Sequence, residues 1–266
     1  NLFRDLYERN NIMKITFLGT GTSQGVPVIG CKCEVCLSEN EKDKRLRASI
    51  LIETKGQTIV IDTGPDFRQQ MLRENVQQLD AVVLTHEHKD HIAGLDDVRA
   101  FNFKQQKDME VYASAPTQLA LKREFHYVFD ERFNYPGIPR INPNEITNNP
   151  FIINEETIIP IEGLHYKLPV FGYRIGDFTY ITDANFISEQ EKEKMKGTKV
   201  LVLNALRKTD HISHFTLIEA IEVIEKINPE KAYFTHMSHT LGLHEEIMKE
   251  LPSNIELAYD GLEINI

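Results

Sequence analysis

Three imidazoles and one carboxylate fall within six residues of the run Thr85-His86-Glu87-His88-Lys89-Asp90-His91. In an extended segment, residues two apart face the same way, so His86 and His88 can reach one cation together. A turn at Asp90-His91 would aim those two ligands at a second cation. Imidazole and carboxylate suit zinc, manganese or iron, with geometry and availability deciding between them. The chemistry such ions serve is hydrolysis, because a bound divalent ion lowers the pKa of its water towards neutrality. The plain alternative is a solvated turn that happens to be rich in histidine. A strand-end His-x-His-x-Asp-His is far more specific than a lone pair of histidines. The spacing is not His-Glu-x-x-His, so a zincin is excluded.

The cluster follows the apolar strand Asp80–Leu84. Upstream, Lys14–Gly19 alternates and ends at the Gly/Thr-rich loop Gly19–Gly25. Ser49–Thr54 and Gln57–Asp62 form a predicted hairpin closed by Lys55-Gly56. Phe67–Glu74 reads as a helix, 92–106 as another, and Val111–Ala113 as a short strand. The second half repeats this order. Strands are predicted at Thr157–Ile161, Val170–Ile175, Phe178–Ile181 and Val200–Leu203. An amphipathic helix follows at Thr216–Ile227, with Leu217, Ile218, Ile221, Ile224 and Ile227 near helical spacing. Then come a strand at Lys231–Phe234 and a helix at His244–Leu251. Two similar mixed halves imply sheets packed in the middle with helices outside. Phe125–Pro150 holds four of the eleven prolines. It reads as a surface excursion over the site.

The chain of 266 residues is 41% hydrophobic and 26% charged, enough for one large domain or two small ones. No apolar run approaches the roughly 20 residues that cross a bilayer. NLFRDLYERNN lacks the apolar centre of a signal peptide. Residues 1–12 read as an N-terminal extension and 13–266 as the catalytic domain. A net charge of −10 argues against gripping nucleic acid through its phosphates, and against a stable complex with it. It does not exclude a small phosphorylated substrate, since bound metals supply local positive charge.

With its His-x-His-x-Asp-His after a buried strand, the sequence resembles the metallo-β-lactamase superfamily, and the pattern can be followed from Met13 onwards. The resemblance implies an α/β fold, the αββα four-layer sandwich. It makes Asp62, in Ile61-Asp62-Thr63-Gly64, a residue that supports the ligand loop. It makes His165, Asp183 and His236 further ligands. His86, His88 and His165 would then hold one metal, Asp90, His91 and His236 a second, and Asp183 both. Taken singly, each later residue has an ordinary reading as a surface histidine or a turn aspartate. Their order, each at or near the end of a predicted strand, gives them weight.

Cys31, Cys33 and Cys36 are the three cysteines of the chain, all within six residues. Cys31 and Cys33 are too close for an easy disulfide. An odd, crowded set fits a metal site in a reducing cytoplasm better than a disulfide framework; the alternative is three free thiols. Three thiolates need one more ligand for a tetrahedral structural zinc. His239, three residues after His236, is the candidate. This second site resembles the phosphoribosyl 1,2-cyclic phosphate phosphodiesterase branch, which is related to ribonuclease Z. The stretches Gly19–Pro27, Asp62–Arg68, Gly94–Asp97 and Asp210–Ala220 fit that branch as well.

The resemblance implies two divalent catalytic metals, zinc or manganese, one structural zinc, and hydrolysis of a small cyclic phosphate diester. Asp90 or Asp183 would orient the attacking hydroxide. His214 is the candidate general acid, with capping or structural support of the Thr216–Ile227 helix as its plain alternative and His211 as its catalytic rival. The Gly19–Gly25 loop either holds a phosphate through backbone N–H groups or is a tight turn. Arg47, Arg68, Lys104 and Arg207 are candidate anion contacts. The competing functions are a ribonuclease Z type nuclease, a thioester or lactone hydrolase, and a metal-bearing carrier in cofactor biosynthesis. Homodimers occur among the proteins resembled, and no interface is legible here.

Overall fold

The computed structural model describes residues 12–133 and 135–266, so the expected extension lies outside the described residues except for Ile12. The chain forms two compact units. One holds the described residues up to Leu18 with Ser49–Thr147 and Glu263–Ile266, the other Gly19–Ala48 with Asn148–Leu262.

The first unit is built on a seven-stranded sheet. Its strands are β1 (Lys14–Gly19), β2 (Ser49–Thr54), β3 (Gln57–Ile61), β4 (Ala81–Val83), β5 (Met109–Ser114), β6 (Ile141–Ile146) and the closing strand Glu263–Asn265, which pairs with β1. The predicted hairpin forms, with Thr54 opposite Gln57. Lys55 and Gly56 both take positive φ, as a tight hairpin turn requires. From β3 to β6 the strands run parallel. That explains the uninterrupted apolar run at β4, which lies between two neighbours and is buried throughout.

Two expectations need correcting in this unit. Segment 92–106 is not one helix. A single turn, α2 (Lys89–Ile92), follows α1 (Phe67–Arg73) in the chain; then a 3-10 turn at Leu95–Val98 leads into α3 (Arg99–Gln105). The break sits at Gly94, whose N–H donates to Thr63 O rather than continuing a helix. Phe125–Pro150 is not wholly an excursion either, since β6 pairs with β5 over six residues. Pro143 hid that strand, but a sheet-edge strand tolerates proline. The helix α4 (Ala115–Glu124) was not anticipated, because it has no clear apolar stripe and Leu119 on it is exposed.

The second unit repeats the plan. Its strands are β7 (Phe151–Ile153), β8 (Glu156–His165), β9 (Leu168–Ile175), β10 (Phe178–Tyr180), β11 (Phe186–Ile187), β12 (Val200–Asn204), β13 (Lys231–Thr235) and β14 (Ile255–Leu257). The order is β11-β8-β9-β10-β12-β13-β14, with β7 on β8. Pairing is antiparallel from β11 to β10 and parallel from β10 to β14. Among its helices are α5 (Glu189–Met195), α6 (Leu217–Ile227) and α7 (His244–Met248). Helix α6 begins in a full capping box of Thr216 and Glu219. It buries Leu217, Ala220, Val223, Ile224 and Ile227, whereas Ile218 points outward.

In the same unit the loop between β1 and β2 is held by the buried Arg45. Its guanidinium donates to Thr20 Oγ1 and Ala258 O, both at 2.8 Å, and lies 3.3 Å from His244 Nδ1. Burial, then the charges of Arg45 and Lys42, push the His244 imidazole down to about 4.

Gly94→Ala is expected to destabilise the chain by about 1–3 kcal/mol, since a Cβ there would lie 2.1 Å from Gly64 O and 2.7 Å from Phe67 Cβ. Urea melts of the variant and the parent measure this. His244 makes stability pH-dependent. Its unfolded form binds a proton first as pH falls, so its contribution is complete above pH 6.5 and is lost between there and about 4. Melting temperatures across that window should slope downward with acid, and less steeply in His244→Gln.

Candidate metal centres

The first unit gathers its candidate ligands around one carboxylate. Asp62 follows β3 in a left-handed conformation, φ 67°, and is fully buried. It accepts from Thr85 N at 2.9 Å, from Thr85 Oγ1 at 2.8 Å and from His91 Nδ1 at 2.7 Å. Burial pushes its carboxyl up, and the charge and hydrogen bond of His91 with the Thr85 donors pull it back. Because the Thr85 hydroxyl donates to Asp62, it accepts from His86 Nδ1, 3.0 Å away. Two histidines are thereby given one tautomer, with hydrogen on Nδ1 and a ligand-type Nε2.

Those Nε2 atoms face other acceptors. His86 Nε2 lies 3.0 Å from His88 Nδ1, and His91 Nε2 lies 3.2 Å from Asp90 Oδ2. Electron-rich atoms at such distances need a proton or a cation between them. A divalent ion fits this donor chemistry. As expected, His88 is extended at the start of the one-turn helix α2, which carries Asp90 and His91.

The second unit gathers His165, Asp183, His214 and His236. His165 closes β8, and its Nδ1 donates to Ser213 O at 2.8 Å, so its Nε2 is also the ligand-type nitrogen. Asp183 and His236, each just past a strand, take left-handed φ of 57° and 52°. Asp183 Oδ2 lies 3.0 Å from His236 Nδ1 and Oδ1 lies 3.1 Å from His214 Nε2. Thr182 Oγ1 donates to Asp183 Oδ2 at 2.6 Å. Ligand atoms of His165, Asp183 and His214 lie within 4.8 Å of one another.

His214 therefore touches the candidate bridging carboxylate. The capping alternative does not hold, because Thr216 caps α6. His211 lies one shell out, with Nδ1 3.1 Å from His214 Nδ1. Its pKa is lowered, first by burial and then by the charges of His214 and Arg207.

The cysteines and His239 come together in the same unit, all four ligand atoms within 4.8 Å of one another. His239 Nδ1 is 3.4 Å from Cys31 Sγ and 3.3 Å from Cys33 Sγ. Ligands on a tetrahedral zinc with these bond lengths sit about 3.5 Å apart. The Cys36 N–H and then His239 lower the Cys33 thiol to about 6, near the thiolate that a metal needs. Burial pushes Cys36 up to about 11.

The Gly19–Gly25 loop is a tight turn. Gly21 N donates to Leu46 O at 2.8 Å, and Gly25 N to Thr22 O at 2.9 Å. Arg47 Nε is bound to Ser23 O and Arg207 Nε to Thr209 O. Lys104 holds Gln77, and Arg68 is exposed. Thr85, Thr182 and Ser213, which orient the candidate ligands, were missed in the sequence; their one signal is that each directly precedes a candidate ligand or His214.

Residues 57–237 match the family described as the beta-lactamase superfamily domain. The crystal structure of a diphosphatase from the PhnP family is 38% identical, with a TM-score of 0.90, covering 96% of this chain and 97% of that one. An octanoyltransferase of Porphyromonas gingivalis is 42% identical over 254 residues, 94% of this chain but 51% of that protein. The chain thus spans about half the length of this relative. Zinc-bound PqqB from Methylobacterium extorquens shares the fold, with a TM-score of 0.76 at 17% identity, covering 95% of this chain and all of that one. These likenesses agree with the expected α/β fold of the metallo-β-lactamases. Among the described residues no helix is long and apolar enough to cross a membrane.

Asp62→Asn should weaken metal retention in the first unit about 10–100-fold. Its amide can still accept from Thr85 but cannot serve every donor. Competition with a graded chelator measures the loss.

Proposed function

The chain belongs to the beta-lactamase superfamily, in the branch of the PhnP family, and we propose that it is a cytoplasmic dinuclear phosphodiesterase acting on a small cyclic phosphate or a related phosphoric ester. In this reading His86, His88 and His165 hold one divalent ion, zinc or manganese. Asp90, His91 and His236 hold the other, and Asp183 serves both. Cys31, Cys33, Cys36 and His239 hold a structural zinc. The observation that carries the reading is the pair of acceptor contacts in the first unit, His86 Nε2 against His88 Nδ1 at 3.0 Å and His91 Nε2 against Asp90 Oδ2 at 3.2 Å. Similarity to the PhnP-family diphosphatase supports phosphorus as the reacting atom.

Two bound ions would supply a hydroxide at neutral pH and positive charge at the phosphoryl oxygens. The protein's own part is orientation and proton handling. Asp62 and Thr85 hold His86 and His91 in ligand form, and Ser213 O does the same for His165. Thr182 secures one oxygen of Asp183. His214, with Nε2 against the other oxygen, delivers the proton to the departing alkoxide. The partner is a small phosphorylated molecule rather than nucleic acid, in keeping with a net charge of −10.

A second reading is favoured by one observation, the 42% identity to half of an octanoyltransferase. The same metals would then open an acyl thioester. Turnover of 2′,3′-cyclic nucleotides, bis(p-nitrophenyl) phosphate and octanoyl thioesters separates the two readings. Hydrolysis of thioesters alone would remove the phosphodiesterase. His88→Ala should abolish turnover while the protein stays folded. His214→Asn should lower kcat on cyclic alkyl phosphates about 10²–10⁴-fold. It should lower it far less on p-nitrophenyl esters, whose leaving group needs no proton.

A further inference from the structure

The two-residue turn between β8 and β9 carries an unusual residue. His165 pairs with Leu168, so the turn is Tyr166-Lys167. Tyr166 has φ 59°, and Lys167 is not in the positive-φ region. A hairpin of this kind has positive φ at its first central position, where glycine is preferred and a bulky ring is not. The strained residue directly follows His165.

Asn185 gathers two neighbours around it. Its Oδ1 accepts from Tyr166 N at 2.8 Å, and its Nδ2 donates to Ile212 O at 3.3 Å. Phe186, the next residue, pairs with Leu164. Phe186 therefore shares the face of Leu164, opposite to that of His165, whereas Tyr166, at 49% exposure, and Ile212, at 66%, directly adjoin His165 and Ser213 in the chain. Lys167 Nζ lies 5.2 Å from the Tyr166 ring centre, which puts a positive charge at the same edge.

An octanoyl chain gains from an enclosed slot that buries its whole length. An open ring offers it little, but suffices for another flat ring to stack, and stacking a base on an aromatic residue tolerates exposure on one side. We propose that Tyr166, held with the Ile212 segment by Asn185, is a stacking platform for the base of a nucleoside phosphate, so that the substrate class is nucleotide-like rather than a bare sugar phosphate. This rests on the phosphodiesterase reading.

The test is direct binding to the metal-loaded full chain by calorimetry, with 5′-AMP and ribose 5-phosphate as probes. Tyr166→Gly removes the ring at a position that suits glycine, so the variant should melt no lower than the parent. The parent should bind AMP about tenfold more tightly than ribose 5-phosphate. Tyr166→Phe should keep that ratio, and Tyr166→Gly should bring it close to one. Equal affinity of the parent for both probes, or an unchanged ratio in Tyr166→Gly, overturns the platform. Absence of turnover on every phosphate ester would overturn the hydrolase reading and would leave the binding ratio to be read separately.

Discussion

The buried carboxylate of Asp62 is the constraint on which the first unit's site depends. It lies in a left-handed turn at the end of β3, with no exposure, and takes hydrogen bonds from Thr85 and His91. A buried carboxylate is tolerated only when donors surround it. Here those donors do a second job. The Thr85 hydroxyl passes the constraint to His86, and the direct bond sets His91, so one anion settles the tautomer of two imidazoles. Gly94 serves the same end, because its N–H on Thr63 O closes the ligand loop back onto the turn that carries Asp62.

The second unit reaches an equivalent result by other means. Its sheet also changes from antiparallel to parallel, and its candidate ligands also leave strand ends: His165 from β8, Asp183 beyond β10 and His236 beyond β13. Left-handed backbone at Asp183 and His236 turns both side chains sharply off their strands. Strain of this kind gathers where surrounding packing holds it in place, commonly at functional sites. Arg45 and the cysteine cluster then tie the long loop before β2 to the C-terminal segments, through Thr20, Ala258 and His239.

The candidate ligands were legible in the sequence because metal chemistry restricts residue type, and because strand-end spacing survives without any knowledge of packing. His86, His88, Asp90 and His91 needed no more than that. His165, Asp183 and His236 were legible only through resemblance, since each alone looks ordinary. The orienting groups were not legible. Thr85, Thr182 and Ser213 act through a hydroxyl or a carbonyl whose direction depends on the fold, and no composition rule marks them. The same limit applies to secondary structure. The amphipathic α6 and the hairpin Lys55-Gly56 were anticipated, but β6 carried a proline, α4 lacked a stripe, and Ile218 has the spacing of a core residue yet faces solvent.

The central proposal is that the chain binds two neighbouring divalent ions. Reconstitution of the chelated chain with manganese, followed by electron paramagnetic resonance and metal analysis, tests it most directly. The account predicts two manganese ions per chain with spin–spin coupling between them, beside one zinc that resists exchange. Uncoupled manganese signals, or a chain that retains only the cysteine-bound zinc, would contradict it.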